Sequence, residues 1–132
     1  MSSSKREAPP LHLTRAEQVA LVRTSVALMG HWGLSEEDAR RALGGIGLDV
    51  MTAWRRGIPQ GLTAQSSFRL AKLLQIHAWL KVQSADPARS ASWMQRPNRL
   101  FDDHRPVDLT FGETENGIDR LLSYLRSASS PW

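Results

Sequence analysis

The stretch that decides the fold is AQSSFRLAKLLQIHAWLKV, residues 64–82. Its pattern predicts an α-helix whose apolar side chains cover more than one face. These side chains are Phe68, Leu70, Leu73, Leu74, Ile76, Trp79, Leu80 and Val82. A helix that is apolar around most of its girth must be buried on several sides. Either a second copy of the chain covers part of it, or both halves of one chain wrap around it.

The length of the chain favours the first of these arrangements. With 132 residues, the chain forms one compact domain or two very small ones. The apolar surface of the helix exceeds what so short a chain can cover. We therefore predict a homodimer whose interface contains Phe68, Leu74 and Trp79, and the wrapped arrangement stays open as the alternative.

Upstream of residue 64 the sequence predicts three more helices. Thr14 and Glu17 have the spacing of a capping box at the start of the first one. Ser35 is placed to cap the second, SEEDARRAL, and LDVMTAWRR follows it after Gly44-Gly45. Two short helices joined by a glycine turn are typical of a helix-turn-helix, in which the second helix enters the DNA major groove. The apolar positions expected to lock the unit are Ala39, Leu43, Ile46, Met51 and Trp54.

The reading surface of this unit is weak. If Met51 and Trp54 face inward, the outward positions of its second helix are Gly47, Leu48, Asp49, Thr52 and Ala53. That set lacks the Arg, Lys, Asn and Gln side chains that read base edges. We predict DNA binding that is weak or salt-sensitive, with phosphate contacts as its main source. The predicted DNA-binding residues are Arg40, Arg41, Thr52, Arg55 and Arg56, and a helical corner with no DNA role remains the alternative.

Downstream of residue 82 the chain alternates helices with a non-repetitive corner. Asp86 and Pro87 have the spacing of a cap and first residue for the helix DPARSASWM. Pro106 is expected to start another helical turn, and TENGIDRLLSYLRSA closes the chain as an amphipathic helix. The apolar stripe stops after Leu125, and the final residues of the chain are expected to leave that helix. No alternating strand pattern extends beyond a few residues, so we predict an all-α fold.

Composition sets bounds on the function. The 17 Lys and Arg residues exceed the 13 Asp and Glu residues by four, and the excess lies in the first two-thirds of the chain. This is a modest signal for nucleic acid. The absence of cysteine excludes disulfides and thiolate metal sites, and it is compatible with a cytoplasmic protein. No apolar run approaches the roughly 18 residues needed to span a bilayer.

Nothing in the sequence points to catalysis. The four histidines, His12, His31, His77 and His104, share no metal-ligand spacing. Gly44-Gly45 lacks the Gly-Lys-Ser/Thr ending of a phosphate loop. We predict that the protein is not an enzyme and needs no cofactor or metal.

The order of the motifs resembles a known family. LSEEDARRALGGI, AWRRG, RLAKLLQIHAWL, DPARSASWMQRPNRLFDDHRPVDL and TENGIDRLLSYL lie between residues 34 and 126. In that order they are similar to the MbcA/ParS/Xre antitoxin family. The most diagnostic residues are Trp93, Pro97, Asn98, Pro106, Asp108, Leu109 and Gly117. The chain departs from the family pattern at FDDHR, residues 101–105, and at Gly47, Leu48 and Asp49.

The resemblance implies an antitoxin of a type II toxin–antitoxin system. Such a protein has an Xre-like helix-turn-helix domain and a C-terminal domain that binds a RES-domain toxin, which degrades NAD or transfers ADP-ribose from it. The antitoxin is not catalytic; it covers the NAD pocket of the toxin, commonly dimerises and often represses its own operon. A stand-alone transcriptional repressor is the alternative. Residues 1–11 are rich in serine, proline and charged residues, which predicts a disordered leader. For the rest of the chain, the resemblance predicts a helix-turn-helix domain with the dimerisation helix at 12–82 and a toxin-binding domain at 83–132.

The corner SWMQRPNRLFDDHRPVDL, residues 92–109, is the predicted toxin-binding surface. Two prolines fix the backbone before binding, and Trp and Arg are common at binding hot spots. For Trp93 alone, a place in the core is favoured. For Arg96, Asn98 and Arg99, contact with a partner is favoured. The predicted toxin-binding residues are Trp93, Arg96, Pro97, Asn98, Arg99, Phe101, Pro106, Asp108 and the terminal Trp132. The ring and carboxylate of Trp132 are expected to enter the toxin's pocket, and packing on Leu121 or Tyr124 of the same molecule is the alternative.

Overall fold

A computed structural model describes residues 12–112 and 116–129, and these residues form six α-helices. The helices are α1 (Arg15–His31), α2 (Glu36–Ala42), α3 (Leu48–Arg55), α4 (Ala64–Gln83), α5 (Pro87–Gln95) and α6 (Gly117–Ser129). Two short 3-10 turns, Arg99–Phe101 and Pro106–Thr110, lie between α5 and α6. Within the described residues there is no β-strand, which confirms the predicted all-α fold. None of the described helices has the length and apolarity needed to cross a lipid bilayer.

The helix starts follow the predicted caps. The Thr14 backbone N–H donates to Glu17 Oε1 at 2.9 Å, and Glu17 N–H donates to Thr14 Oγ1 at 3.1 Å, which confirms the capping box of α1. Ser35 caps α2 by accepting from Asp38 N–H at 3.1 Å. Asp86 caps α5 by accepting from Ala88 N–H at 3.0 Å. Each cap satisfies a backbone donor that has no partner inside its helix.

Helix α4 lies at the centre of the molecule and packs against α1, α5 and α6. Its inner face contributes Leu70, Leu73, Ile76 and Leu80 to one core that runs from Val22 in α1 to Leu125 in α6. Both halves of the chain therefore wrap around α4. The core contains residues from both sides of the boundary between residues 82 and 83, so the predicted functional segments 12–82 and 83–132 share one interior.

The first three helices form the N-terminal part of this core. Met51 and Trp54 face inward, as predicted, and they are 3% and 1% exposed. Ala53 was expected on the outer face of α3, and this prediction is wrong, because Ala53 is also buried. Ala53 is 8% exposed, so the buried surface of α3 is wider than the positions of Met51 and Trp54 alone indicate.

Helix α6 ends at Ser129, one residue beyond the predicted helical stretch TENGIDRLLSYLRSA, which ends at Ala128. Serine and alanine are compatible with a helix interior, and the first residue that cannot continue a helix is Pro131. The predicted leader, residues 1–11, and the terminal Trp132 lie outside the described residues.

Arg69 of α4 joins the two halves of the chain. Its Nη1 donates to the carbonyl of Ala42 at 2.6 Å and to the carbonyl of Thr110 at 2.8 Å. The first carbonyl is at the end of α2, and the second is at the end of the 3-10 turn Pro106–Thr110. Burial of the guanidinium lowers the pKa of Arg69. Two carbonyl oxygens thus stabilise a side chain that has lost part of its hydration.

Candidate functional site

Asn98 organises the first turn of the corner. Its side-chain Oδ1 accepts from the backbone N–H of Leu100 at 2.9 Å. Its own backbone N–H donates to the carbonyl of His104 at 3.0 Å, and its carbonyl accepts from Phe101 and Asp103, each at 2.9 Å. Asn98 thus makes four hydrogen bonds within the loop formed by residues 98–104. This is the rigid, non-repetitive backbone that the sequence leads us to expect.

The rings of Trp93, Phe101 and Tyr124 form a cluster that packs against the first turn of the corner. The Trp93 ring on α5 stacks on the Tyr124 ring on α6, with centroids 6.1 Å apart and 8° between the planes. The Phe101 ring meets both edge-on, at 6.4 Å from Trp93 and 5.5 Å from Tyr124. Offset stacked and edge-to-face pairs at these separations are the favourable arrangements of aromatic rings. The turn is therefore fixed to two helices through Phe101, which is 2% exposed.

A polar chain connects the second turn to the N-terminal half. Arg105 Nη2 donates to Asp108 Oδ1 at 2.7 Å, and Arg105 Nη1 donates to Gln95 Oε1 at 2.6 Å. Gln95 Nε2 in turn donates to the carbonyl of Trp32, the C-cap residue of α1, at 2.6 Å. Burial is the largest single influence and acts to raise the pKa of Asp108, but the hydrogen bonds from Arg105 and the nearby positive charge together outweigh it, so this pKa lies below its ordinary value. Asp108 is thus a charged partner of Arg105 inside the corner.

The predicted toxin-binding residues divide by exposure. Arg96, Pro97 and Arg99 are exposed, whereas Trp93, Asn98 and Asp108 are half-buried. Phe101 and Pro106 lie in the interior, so their place is beneath the surface of the corner. The exposed members occupy the end of α5 and the first turn.

Sequence reasoning missed two residues of this surface. Leu100, at the tip of the first turn, is 55% exposed. Arg120 of α6 donates from Nη2 to the carbonyl of Leu100 at 2.9 Å. The signal for Leu100 was its position beside Phe101, because two adjacent apolar residues in so short a turn do not both reach the core. The signal for Arg120 is tertiary, because its partner is 20 residues earlier.

The predicted DNA-binding residues lie on α2 and α3. Thr52, Arg55 and Arg56 are exposed at α3 and its end, and Arg40 is half-buried. Arg41 pairs with Asp38 at 3.1 Å, and its guanidinium carbon lies 4.3 Å from the centre of the Phe111 ring. Arg41 therefore also contributes to the packing between the halves of the chain.

The predicted dimerisation residues Phe68, Leu74 and Trp79 are all half-buried on α4. Val82, at the end of the same helix, is 67% exposed. Wrapping by α1, α5 and α6 thus leaves part of α4 uncovered, and this part contains apolar side chains.

A pair of histidines lies between α1 and α4. The rings of His31 and His77 meet edge-on, with centroids 5.7 Å apart, beside a cavity of about 670 Å³ that Lys81 also lines. Burial lowers the pKa of His77, and the positive charges of His31 and Lys81 lower it further. The neutral form of His77 is therefore favoured in the folded protein.

Comparison with known proteins assigns the C-terminal part of the chain. Residues 84–128 match the model of the antitoxin Xre/MbcA/ParS C-terminal toxin-binding domain, which confirms the resemblance drawn from the motifs. The match spans α5, both 3-10 turns and most of α6. Neither the curated proteins nor the solved structures contain a significant match to this chain.

Proposed function

Because residues 84–128 form a toxin-binding domain of the Xre/MbcA/ParS antitoxin family, we propose that the protein neutralises a RES-domain toxin by covering its active site. The toxin is an enzyme that consumes NAD, by degrading it or by transferring ADP-ribose. The observation that carries the proposal is the match itself, because the matched residues include the whole corner.

The geometry of the corner supports this function. The hydrogen bonds of Asn98 and the contacts of the Phe101 ring with Trp93 and Tyr124 fix the conformation of the corner in the unbound chain. Such preorganisation lowers the entropy cost of association. Arg96 and Arg99 are exposed on this surface, and arginine is enriched among residues that dominate binding energy. On this proposal the chain acts by binding and is not itself an enzyme.

Co-expression with the product of the adjacent gene tests the proposal. We expect the two proteins to co-purify, and the toxin's consumption of NAD to fall as the antitoxin is titrated in. Arg96→Ala together with Arg99→Ala should weaken this inhibition, whereas Arg15→Ala, an exposed arginine on α1, should leave it unchanged. Full NAD consumption in the presence of excess antitoxin would contradict the proposal.

A second proposed activity is repression of the protein's own operon. Helices α2 and α3 are short and joined by a turn that contains Gly44 and Gly45, and exposed Thr52, Arg55 and Arg56 lie on or next to α3. On this proposal these side chains contact DNA phosphates from one side of α3. The stand-alone repressor is the competing form of this idea, and co-purification with the toxin separates the two.

We also propose that the protein works in the cytoplasm as a homodimer through Phe68, Leu74 and Trp79. The functional segments would be 12–82 for DNA and dimerisation and 83–132 for the toxin. Their common core means that they would act as parts of one folded unit.

A further inference from the structure

Leu100 is the most exposed large apolar side chain of the matched domain in the part of the chain that the structure describes. It is 55% exposed, whereas its neighbour Phe101 is 2% exposed. Single exposed apolar residues are common on protein surfaces. Leu100 differs because the short turn that contains it is followed by two residues with a left-handed backbone.

The strain lies directly after Phe101. Asp102 and Asp103 have φ angles of 58° and 66°, so two consecutive non-glycine residues are left-handed. This region is disfavoured for residues with a Cβ atom, although Asp tolerates it better than most. Such conformations persist only where the surroundings enforce them, and they cluster at binding and functional sites.

Arg120 of α6 contacts the turn on the side of these left-handed residues. Its Nη2 donates to the Leu100 carbonyl at 2.9 Å, and its Nη1 lies 3.7 Å from Asp102 Oδ2. Its guanidinium carbon is 5.4 Å from the centre of the Phe101 ring. One side chain thus contacts three successive residues of the turn. With the Asn98 cap on the other side, the position of Leu100 is set before binding.

We propose that Leu100 is the apolar anchor of the toxin interface and that Arg120 is the positioning residue that holds it in place. The inference rests on the proposed function, because it requires that the chain binds a toxin.

The charges around Leu100 specify the surface that it fits. Exposed Arg99 precedes it, and exposed Asp102 and Asp103 follow it. The complementary site on the toxin is an apolar pocket that has a carboxylate on its Arg99 side and a basic group on its aspartate side. Opposite charges at such a rim set the orientation of the partner, while the buried side chain provides affinity.

The test measures the affinity of the purified full-length chain for the purified toxin from the adjacent gene. Leu100→Ala should weaken binding at least tenfold without changing the circular dichroism spectrum or the urea midpoint. Leu48→Ala is the matched control, because Leu48 is also a leucine, is 52% exposed and lies on α3, outside the matched domain. It should bind as the unmodified chain does.

Arg120→Met tests the positioning role, since it keeps the apolar stem and removes the guanidinium. It should also weaken binding, and the double variant with Leu100→Ala should bind about as well as Leu100→Ala alone, because Arg120 acts through Leu100. Additive losses would overturn the positioning role.

The two proposals fail in different ways. If the unmodified chain binds the toxin and Leu100→Ala binds equally well, the anchor is wrong and the antitoxin function stands. If the unmodified chain shows no binding, both are wrong.

Discussion

At the scale of single residues, Arg69 shows how one side chain joins distant parts of the chain. Its Nη1 donates to two carbonyls that belong to different halves of the molecule, those of Ala42 and Thr110. Hydrogen bonds from a charged donor contribute more than neutral ones, and a buried carbonyl that loses its donor carries a desolvation penalty. Arg69 is therefore expected to stabilise the shared core rather than to bind a ligand.

Replacing Arg69 by methionine should lower the free energy of unfolding by about 2 kcal/mol, because both carbonyls lose their donor. Urea unfolding followed by circular dichroism measures the change. Lys72→Met is the control: Lys72 pairs with Asp119 at 2.8 Å on the surface, and an exposed pair contributes at most about 1 kcal/mol. Equal losses in the two variants would show that Arg69 has no special role.

His77 gives a prediction about pH. Its pKa in the folded protein lies below the ordinary value of 6.5, with burial as the largest cause. Below pH 6.5 the imidazole takes up a proton more readily in the unfolded chain than in the folded one. The contribution of neutral His77 to the free energy of unfolding is therefore fully present above pH 6.5 and is lost as the pH falls through the folded pKa. The urea midpoint should be lower at pH 5.5 than at pH 7.5.

His77→Gln should reduce this difference between the two midpoints, because the variant has no imidazole at this position. His12→Gln, at an exposed position, is the control and should keep the full difference. A difference that is unchanged in His77→Gln would assign the acid sensitivity to other groups.

At the scale of elements, α3 combines a well-buried inner face with an outer face that suits phosphates better than bases. Met51 and Trp54 attach the helix to the core, and Leu48 and Asp49 occupy outer positions where a base-reading helix would place donors. The exposed cations are Arg55 and Arg56, close to the end of the helix. Such an arrangement favours binding through the DNA backbone.

We expect operator DNA binding by the free protein to fall steeply as salt increases. Arg55→Ala and Arg56→Ala should each reduce the slope of log K against log salt by about 0.9, since each removes one phosphate contact. Titration of labelled DNA at several salt concentrations measures the slope, with Arg89→Ala on α5 as the control. Nanomolar, sequence-specific binding at physiological salt would contradict this prediction.

At the scale of the whole molecule, one core includes residues from both of the proposed functional segments, 12–82 and 83–132. Arg69 and the chain from Arg105 through Gln95 to the Trp32 carbonyl connect them with polar contacts, and α4 connects them with apolar packing. On α4, Val82 is exposed and Phe68, Leu74 and Trp79 are half-buried, with Leu74 and Trp79 packed against the core. An apolar surface at this place is the basis for expecting a second copy.

The isolated protein should sediment as a dimer at micromolar concentration. Val82→Lys should shift it towards monomer without loss of helix content, because the charge would be buried in the interface but not in the monomer. Ile58→Lys is the control at another exposed apolar position, 42% exposed and outside the helices. A monomer for the unmodified chain would disprove the interface.

Much of the fold follows from short-range rules. The caps at Thr14, Ser35 and Asp86 were predictable because a cap joins residues that are two or three positions apart. The burial of Met51 and Trp54 followed from helical spacing. The end of α6 lies one residue beyond the predicted stretch, because serine tolerates a helix without requiring one.

The sequence by itself determined the helices, their caps and the presence of a rigid corner, because these depend on neighbours along the chain. Only the tertiary structure decided which side of the corner faces outward. Phe101 turns inward because Trp93 and Tyr124 receive its ring, and Leu100 turns outward as a consequence. Arg69 finds its two carbonyls 27 and 41 residues away. Contacts over such distances depend on how the helices pack, and no local pattern encodes them.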